Sequence, residues 1–295
     1  AYDAGLRYVD TSPYYGYGRS ELVCGETLRD LPRDSFVLST KVGRVLRPLR
    51  AGEPTDGLRA GGLPFAPTFD YSREGTLRSL EHSHLRLGLA RIDIVFVHDV
   101  DLFTHRDPAL VETHYRTAVT QTVPTLGALR DAGVIGAVGV GLNEAAMSLR
   151  FARDTDIDCI LLAGRYTLLE QGALDELLPL CAAKGIGVVI GGPFNSGILV
   201  TGPVPGARFD YGEAPPAVMA RVARIEAACG RHGVPMAAAA LQLPLAHPAV
   251  SSVIPGAMSR TELLQNLAWM ETPIPPDLWA ELRHEGLLDE RAPTP

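Results

Sequence analysis

Short apolar segments alternate with longer segments of helical periodicity along the whole chain. Such alternation is typical of βαβ units, in which a helix joins one parallel strand to the next. The apolar segments are rich in Val, Ile and Leu and contain few alternating polar residues, as expected for strands that are covered on both faces. Strands are predicted over residues 8–11, 36–42, 92–97, 135–142, 159–162, 187–190 and 252–254.

Helices are predicted between these strands, and several carry start or stop signals. Ser72 precedes one helical segment, and Gly133 and Gly185 follow two others. Lys184 is interpreted as a cation at a helix C-terminus, where the helix dipole favours positive charge. The predicted helices include residues 21–29, 72–87, 123–132, 144–153, 173–183, 216–231 and 260–269.

The alternation predicts an α/β protein with one (β/α)8 TIM-barrel domain over residues 1–295. Seven strands do not close an eight-stranded barrel, and residues 1–5 have the pattern of a helix end. We therefore expect that the first strand and most of its helix are missing, so that the barrel is truncated at its N-terminus. A natural mature terminus is the alternative, although an open barrel would expose an unpaired strand edge.

Three connections are longer than a tight βα turn. Residues 43–70, 99–122 and 202–215 are predicted to be long loops, and each follows a strand end on the presumed catalytic face. Loops of this length in a compact domain are often lids or binding loops. Three such loops on one face are expected to line the substrate site. For any one of them, the alternative is a mobile surface loop without a role in binding.

The composition favours a soluble protein whose partner is a small molecule. The net charge is −7 with no basic run, which argues against a nucleic-acid or anionic membrane surface. No stretch of about 20 apolar residues and no signal-peptide pattern is present. The four cysteines are widely spaced, so neither a disulfide framework nor a metal site is predicted, and a reducing cytoplasm fits.

Polar residues stand at the C-terminal ends of three successive predicted strands. They are Asp10, Tyr15, Lys41 and His98, and α/β barrels place their chemistry at these ends. Of the 27 Lys and Arg residues, only Lys41 and Lys184 are lysine. Arginine cannot replace lysine as a tunable ammonium beside a phenol. An active site is therefore predicted here.

Each of these residues also has a structural interpretation. Tyr15 can be a packing aromatic, Lys41 can end a strand at the surface, and His98 can be a buried histidine whose tautomer is fixed by its neighbour Asp99. Taken singly, the structural interpretation is favoured for Tyr15 and His98. Their coincidence at three strand ends reverses that preference.

Several segments, in order and spacing, resemble the aldo-keto reductases over nearly the whole chain. They are GLRYVDTSPYYG (5–16), LSTKV (38–42), IDIVFVH (92–98) and IPGA (254–257), with Asn266. Further segments are similar to the aldose 1-dehydrogenase branch, which includes L-fucose, D-threo-aldose, pyridoxal and L-galactose dehydrogenases. These are YGYGRSE (15–21), STKVGR (39–44), HDVD (98–101), GRYTLL (164–169) and FNSGIL (194–199).

The resemblance implies hydride transfer between a nicotinamide and a carbonyl or hemiacetal carbon. A free tyrosine with a pKa of about 10 is poorly matched to neutral pH, so a nearby ammonium is needed to favour the phenolate. Lys41 takes that role, a buried Asp10 holds it, and Tyr15 is the acid or base. His98 is implied to bond the reacting oxygen and orient the substrate, with a share in proton transfer left open.

The resemblance also implies a dinucleotide extended across the barrel mouth. The loop at 194–199 can offer backbone N–H groups to the pyrophosphate, and residues 254–257 with the following helix would hold the adenosine end near a helix N-terminus. Asn143 is the candidate for the carboxamide contact. The expected cofactor contacts are Asn143, Phe194, Asn195, Ser196, Gly197, Leu199, Gly256, Ala257, Arg260, Glu262 and Asn266.

NAD is predicted in preference to NADP. Gly256 and Glu262 stand where NADP-specific relatives have a Lys and an Arg that grip the 2′-phosphate. A glutamate repels that phosphate and can accept a hydrogen bond from a ribose hydroxyl. Arg260 is the residue that could overturn this preference.

The expected reaction is oxidation of a free aldose at C1 to its lactone. Tyr17, Arg44, Asp99 and Asp101 are polar residues near the right strand ends for a sugar. Reduction or oxidation of another aldehyde, such as pyridoxal, is an alternative. Two other classes remain open, a non-catalytic NAD(P)-binding subunit and a Schiff-base lyase or aldolase with Lys41 as nucleophile. The oligomeric state is left open.

Overall fold

The computed structural model describes residues 1–53 and 61–295. They divide into two compact units, one made of Ala1–Leu142 with Arg150–Ile160 and the other of Asn143–Leu149 with Leu161–Pro295. Seven strands of the described residues belong to the main sheet, and strands of this sheet carry the catalytic residues predicted from the sequence.

In the first unit four strands of the main sheet are neighbours in the order β1-β2-β5-β6, and each pair is parallel. Asp10 is paired with Ser39, and Lys41 with Phe96. Asp10 is the last residue of its strand and Lys41 is the last but one of its strand, so both lie at carboxyl ends of the parallel sheet. The strands of this unit are β1 (Tyr8–Asp10), β2 (Val37–Val42), β3 (Arg44–Pro48), β4 (Phe65–Phe69), β5 (Ile92–His98) and β6 (Ile135–Leu142).

Five α-helices belong to the described part of the first unit. Ser72 caps the longest, since its hydroxyl accepts a hydrogen bond from the N–H of Gly75. The helices are α1 (Arg19–Leu28), α2 (Arg73–Leu87), α3 (Leu102–His105), α4 (Pro108–Thr117) and α5 (Val123–Asp131). A π-helix, Ala118–Thr122, joins α4 to α5.

All three predicted long loops contain regular structure. Within 43–70, β3 and β4 form an antiparallel pair in which Arg44 lies opposite Phe69; residues 54–60 lie outside the described residues. Within 99–122, α3, α4 and the π-helix replace the predicted loop. Asp107 accepts hydrogen bonds from two backbone N–H groups at the start of α4, and Pro108 takes the first helical position.

One helix and one strand come next in the chain, α6 (Ala145–Asp154) and β7 (Cys159–Ala163). In the second unit β8 (Gly187–Gly191) pairs in parallel with β11 (Val250–Ile254), while β9 (Arg208–Phe209) and β10 (Gly212–Glu213) form a short antiparallel pair within the third predicted loop. The helices of this unit are α7 (Leu177–Lys184), α8 (Ile198–Thr201), α9 (Pro216–Arg231), α10 (Met236–Gln242), α11 (Arg260–Met270) and α12 (Pro276–His284).

The predicted strands agree with the observed ones to within two residues at each end. The predicted helix 173–183 is a 3-10 turn, Gly172–Leu174, followed by α7, which ends at Lys184 as its stop signal indicated. Five α-helices of the described residues were not predicted, namely α3 and α4 in the second predicted loop, and α8, α10 and α12.

Burial of the strands accounts for their apolar sequences. All of β2 beyond its first residue is buried, and the last five residues of β6 are buried. All four cysteines are free thiols. In the part of the chain that the structure describes, we find no helix with the length and apolarity to cross a bilayer, and no group of three or more His, Cys, Asp or Glu side chains arranged to hold a metal.

Candidate active site

The four residues predicted as catalytic come from three neighbouring strands of the first unit. Asp10 ends β1, Lys41 lies near the end of β2, and His98 ends β5. Tyr15 lies in the turn that follows β1, where its backbone N–H donates to the carbonyl of Ser12. Contacts among these side chains bring the four together in one cluster.

A buried ion pair between Asp10 and Lys41 is the base of the cluster. The Lys41 Nζ donates to Asp10 Oδ2 at 2.5 Å and to the carbonyl of Thr11 at 2.8 Å, and its side chain is 1% exposed. Burial alone would lower the pKa of Lys41, but Asp10 and Tyr15 raise it above its ordinary value. The ammonium therefore stays charged inside the protein.

Two residues that the sequence did not single out hold Asp10. Ser39 Oγ donates to Asp10 Oδ1 at 2.6 Å, and the hydroxyl of Tyr8 lies 3.0 Å from Ser39 Oγ. Burial, and next the charge of Asp10, raise the pKa of Tyr8 well above its ordinary value. Tyr8 thus remains a neutral hydrogen-bonding group. The period-2 spacing of Ser39 and Lys41 on one strand was the available signal for the role of Ser39.

Tyr15 is the accessible member of the cluster. It is 36% exposed, and the Lys41 Nζ lies 4.6 Å from the centroid of its ring. The ring of His98 stands edge-on to it, with 6.1 Å between the centroids. A phenol that faces solvent on one side and a buried ammonium on the other is suited to exchange a proton with a substrate.

His98 is buried and uncharged at neutral pH. Burial, followed by the positive charges of Arg44 and Lys41, holds the pKa of His98 well below its usual range. The hydroxyl of Tyr71 donates to the carbonyl of His98 at 2.8 Å and so fixes the end of β5. The imidazole can therefore bond a substrate oxygen without carrying charge.

This depressed pKa makes the stability of the protein depend on pH. An unfolded histidine titrates near pH ~6.5, so below that pH the unfolded chain binds a proton that the folded His98 does not. The contribution of His98 to the free energy of unfolding is therefore complete above that pH. As the pH falls below it, the contribution decreases by up to about 1.4 kcal/mol per pH unit. The free energy of unfolding, measured with urea between pH 7 and pH 5, should depend less steeply on pH in His98→Gln than in the wild type. Equal slopes would contradict a depressed pKa of His98.

The four residues that the sequence suggested for a sugar are buried. Tyr17, Arg44, Asp99 and Asp101 are at most 8% exposed. Arg44 and Asp99 form an ion pair of 2.6 Å, and Asp101 caps α3 through the N–H of Thr104. Folding thus engages polar atoms of Arg44, Asp99 and Asp101 inside the protein, and contact of these residues with a sugar stays a prediction.

The predicted pyrophosphate segment lies in the second unit between β8 and α8. Asn195, Ser196 and Gly197 all have left-handed backbone conformations, with φ of 46°, 63° and 99°. The Asn195 side chain is buried, accepts from Thr167 at 2.7 Å and donates to the carbonyl of Gly164 at 3.1 Å. This side chain therefore holds the turn in shape, and contacts to a ligand are left to the backbone and to the exposed Ser196.

The predicted adenosine-end residues surround the N-terminus of α11. Ser259 caps this helix by accepting from the N–H of Glu262, and Glu262 Oε2 accepts from the N–H of Met258 at 2.7 Å. Gly256, Ala257 and Arg260 are exposed and Asn266 is buried. Glu262 therefore has a capping role that the sequence analysis missed, although the S-x-x-E spacing signals it.

Asn143 lies at the start of the second unit, and a residue not predicted for the site contacts it. Arg165 Nε donates to the carbonyl of Asn143 at 2.7 Å, and its Nη2 pairs with Asp210 at 3.0 Å. The segment 164–169, which carried part of the family resemblance, contains this arginine.

The donor set of the second unit fits a nicotinamide dinucleotide. Around both Gly197 and Gly256, no atom lies within 4 Å of the position that a Cβ would take. The backbone is thus open to close approach at both places. Backbone N–H groups, a serine hydroxyl and the Arg260 guanidinium suit phosphate oxygens, and side-chain amides suit the carboxamide.

A profile of the aldo/keto reductase family matches residues 1–284. The chain belongs to the aldo/keto reductase family. As in the rest of this family, its cofactor is a nicotinamide dinucleotide, and it is an NAD(P)-dependent oxidoreductase. The resemblance to the aldo-keto reductases that the sequence motifs indicated is confirmed.

Two relatives in the aldo/keto reductase family are similar over nearly the whole chain. A pyridoxal 4-dehydrogenase from Microbacterium luteolum is 43% identical, with 97% of this chain and 86% of the relative covered. A D-threo-aldose 1-dehydrogenase from a Pseudomonas species is 40% identical, with 100% and 87% covered. Both names belong to the branch that the sequence motifs indicated.

Solved structures of aldo/keto reductases share the fold. A glycerol dehydrogenase from Gluconobacter oxydans superposes with a TM-score of 0.73 at 18% identity, covering 100% of this chain and 84% of that one. The holo form of an aldo-keto reductase from Bacillus halodurans gives 0.72 at 23% identity, with 98% and 84% covered. At these identities the likeness shows the fold alone, and it confirms the predicted (β/α)8 class.

Proposed function

We propose that the protein oxidises the hemiacetal carbon of a cyclic substrate to a lactone, with C1 of a free aldose as the first candidate and NAD as the preferred acceptor. The observation that carries this proposal is the buried Asp10–Lys41 pair beneath the partly exposed ring of Tyr15. A lasting positive charge beside an accessible phenol is suited to removing a hydroxyl proton at neutral pH.

Each residue of the cluster has one task in this proposal. Tyr15 takes the proton of the substrate hydroxyl, Lys41 stabilises the negative charge on the phenol oxygen, and Asp10 keeps Lys41 in place. His98 donates a hydrogen bond to the same substrate oxygen. When bound, the nicotinamide accepts the hydride from the hemiacetal carbon. The carbon loses a hydride, the oxygen loses a proton, and a lactone carbonyl forms.

The names of the two relatives support a cyclic hemiacetal as the substrate class. A free aldose closes its C1 aldehyde onto one of its own hydroxyl groups. In pyridoxal the aldehyde lies beside a hydroxymethyl group and closes onto it in the same way. Both compounds therefore present a hydroxyl on a ring carbon that bears one hydrogen, so pyridoxal is the second candidate.

Residues of the second unit would hold the dinucleotide. We assign the pyrophosphate to 194–199, with backbone N–H groups and Ser196 as donors, and the adenosine end to Gly256, Ala257, Arg260 and Asn266. Asn143 would contact the carboxamide, and Phe194 and Leu199 would line the segment. Their open backbone and donor types, described above, support this assignment.

The preference for NAD is proposed from the charge of Glu262. Its carboxylate caps α11 through one oxygen, so its charge is held at the helix start, where a 2′-phosphate would be repelled. Glu262→Gln removes the charge and can keep the cap. We expect kcat/KM with NADP to rise about tenfold, or ~1.4 kcal/mol, with little change for NAD.

Steady-state kinetics with both nucleotides measures this effect. The matched control is Glu271→Gln, which removes an exposed carboxylate just after the other end of α11. It should leave the ratio of the two nucleotides unchanged. An unchanged ratio in Glu262→Gln as well would refute the role of Glu262 in nucleotide choice.

The proposed function is tested by following the near-ultraviolet absorbance of the reduced nicotinamide. The protein is incubated with NAD or NADP and with L-fucose, D-arabinose, L-galactose or pyridoxal, and the product is identified as lactone or acid by mass spectrometry. Turnover with a sugar supports the first candidate, and turnover with pyridoxal alone supports the second. Nucleotide binding without turnover would overturn the proposal in favour of a binding subunit, and a borohydride-trapped adduct on Lys41 would favour the Schiff-base alternative.

A further inference from the structure

Arg44 is a buried arginine beside the catalytic cluster. It directly follows Gly43, whose φ of 105° turns the chain out of β2. A Cβ on Gly43 would lie 2.5 Å from the ring of Tyr71, so the turn requires glycine. Arg44 is 5% exposed, although burying a guanidinium is costly unless its N–H groups are paired.

The guanidinium of Arg44 is held on its edge and on its faces. Its Nη2 donates to Asp99 Oδ2 at 2.6 Å, and its Nη1 lies 3.1 Å from His98 Nδ1. The guanidinium carbon lies 4.3 Å from the ring centroid of Tyr14 and 4.4 Å from that of Phe69. Two aromatic rings and a carboxylate thus fix the direction in which Arg44 points its remaining N–H groups.

These contacts determine which nitrogen of His98 carries its proton. Arginine has only donors, so the His98 nitrogen that faces it, Nδ1, must be the acceptor. The other nitrogen, Nε2, lies 3.5 Å from Asp99 Oδ1, and a carboxylate favours a proton on the nitrogen nearest to it. Both contacts select the same neutral tautomer, with hydrogen on Nε2.

We propose that Arg44 is a positioning residue of the reaction, which with Asp99 holds His98 as the Nε2–H tautomer so that the imidazole donates to the reacting oxygen. The catalytic part of this proposal rests on the proposed function, whereas the tautomer is a property of the free protein. Of the two tautomers, the Nδ1–H form would turn a lone pair from Nε2 towards an oxygen that is becoming negative. That form would compete with Tyr15 for the proton instead of stabilising the oxygen.

Nitrogen-15 NMR of the protein labelled at histidine tests the tautomer directly. Long-range proton–nitrogen correlations identify the protonated and unprotonated ring nitrogens, and the signals of His98 are those missing from His98→Gln. At neutral pH we expect His98 Nδ1 at the shift of an unprotonated nitrogen and Nε2 at that of a protonated one. The reverse pattern in the wild type would overturn the proposal without any variant of Arg44.

Substitutions of Arg44 test whether this residue controls the tautomer of His98 and the rate of turnover. In Arg44→Met, which removes every donor, we expect a mixture of His98 tautomers and a loss in kcat of roughly tenfold to a hundredfold, by analogy with the loss of groups that orient metal-bound histidines. KM for the nucleotide should not change. Arg44→Lys should retain part of the tautomer preference of His98 and part of kcat, because lysine supplies a donor but not the planar, forked donor geometry of arginine.

The control is Arg33→Met, which breaks an ion pair of 2.5 Å with Asp93 in the same unit and should change neither readout. Circular dichroism checks folding of each variant. A folded Arg44→Met with an unchanged tautomer and unchanged kcat would refute the positioning role. If the tautomer shifts as expected but no sugar or pyridoxal is turned over by the wild type, the proposed function fails while the structural part of the inference stands.

Discussion

Replacing Tyr15 with phenylalanine is expected to lower kcat by about a thousandfold, within the range of roughly 10²–10⁴ that positioned proton transfer contributes. The substitution removes one hydroxyl and keeps the ring that lies 4.6 Å from the Lys41 Nζ. Packing should therefore be preserved, and the loss should fall on chemistry. Because the assigned nucleotide contacts lie in the second unit, nucleotide affinity should not change.

Stopped-flow kinetics and fluorescence titration with the reduced nucleotide measure these two quantities separately. Tyr2→Phe is the matched control, since it removes a hydroxyl that donates to Ser35 at 2.8 Å and has no contact with the cluster. A Tyr15→Phe protein that retained more than a tenth of wild-type kcat would show that another group, or water, takes the proton.

The catalytic cluster could be predicted from the sequence because its signal is local. Asp10, Lys41 and His98 each stand at the end of a strand that the apolar pattern identifies by itself. Parallel pairing then brings strand ends together, whatever the details of the loops. The placement of these residues required no knowledge of long-range contacts.

The hairpin of β3 and β4 could not be predicted in this way. Phe69 pairs with Arg44, which lies 25 residues earlier in the chain, and neither short strand has a strong pattern by itself. The start of α4 did carry a signal, Asp107 followed by Pro108, which is a common helix start. The prediction of a loop there was wrong, because Asp107 caps the first turn of α4 and Pro108 fits its first position.

The roles of buried polar residues also could not be predicted from the sequence. Arg44 and Asp99 look like surface groups suited to a sugar until the fold shows that they bond to each other and to His98. A sequence pattern reports that a polar residue follows a strand, but not whether its side chain faces solvent or a neighbouring strand. Only the strand register and the turn at Gly43 decide that question.

Replacing Lys41 with methionine should lower both activity and stability, by different mechanisms. Loss of the ammonium leaves Asp10, whose side chain is 8% exposed, as a buried carboxylate held mainly by Ser39. Removing one member of a buried pair costs about 3–5 kcal/mol in the free energy of unfolding. Activity should fall by roughly a thousandfold or more, because the ammonium that lies 4.6 Å from the centroid of the Tyr15 ring is lost from the proton-transfer site.

The double variant Asp10→Asn/Lys41→Met separates the two effects. It removes the unpaired charge, so we expect it to recover a large part of the lost stability while its activity stays as low as that of Lys41→Met. Arg86→Met is the control, since it breaks a comparable pair with the buried Glu21 at 2.6 Å and should reduce stability without a matching loss of kcat. Urea unfolding and steady-state kinetics on the four proteins decide the matter: if activity returned together with stability in the double variant, Lys41 would serve the fold and not the proton transfer.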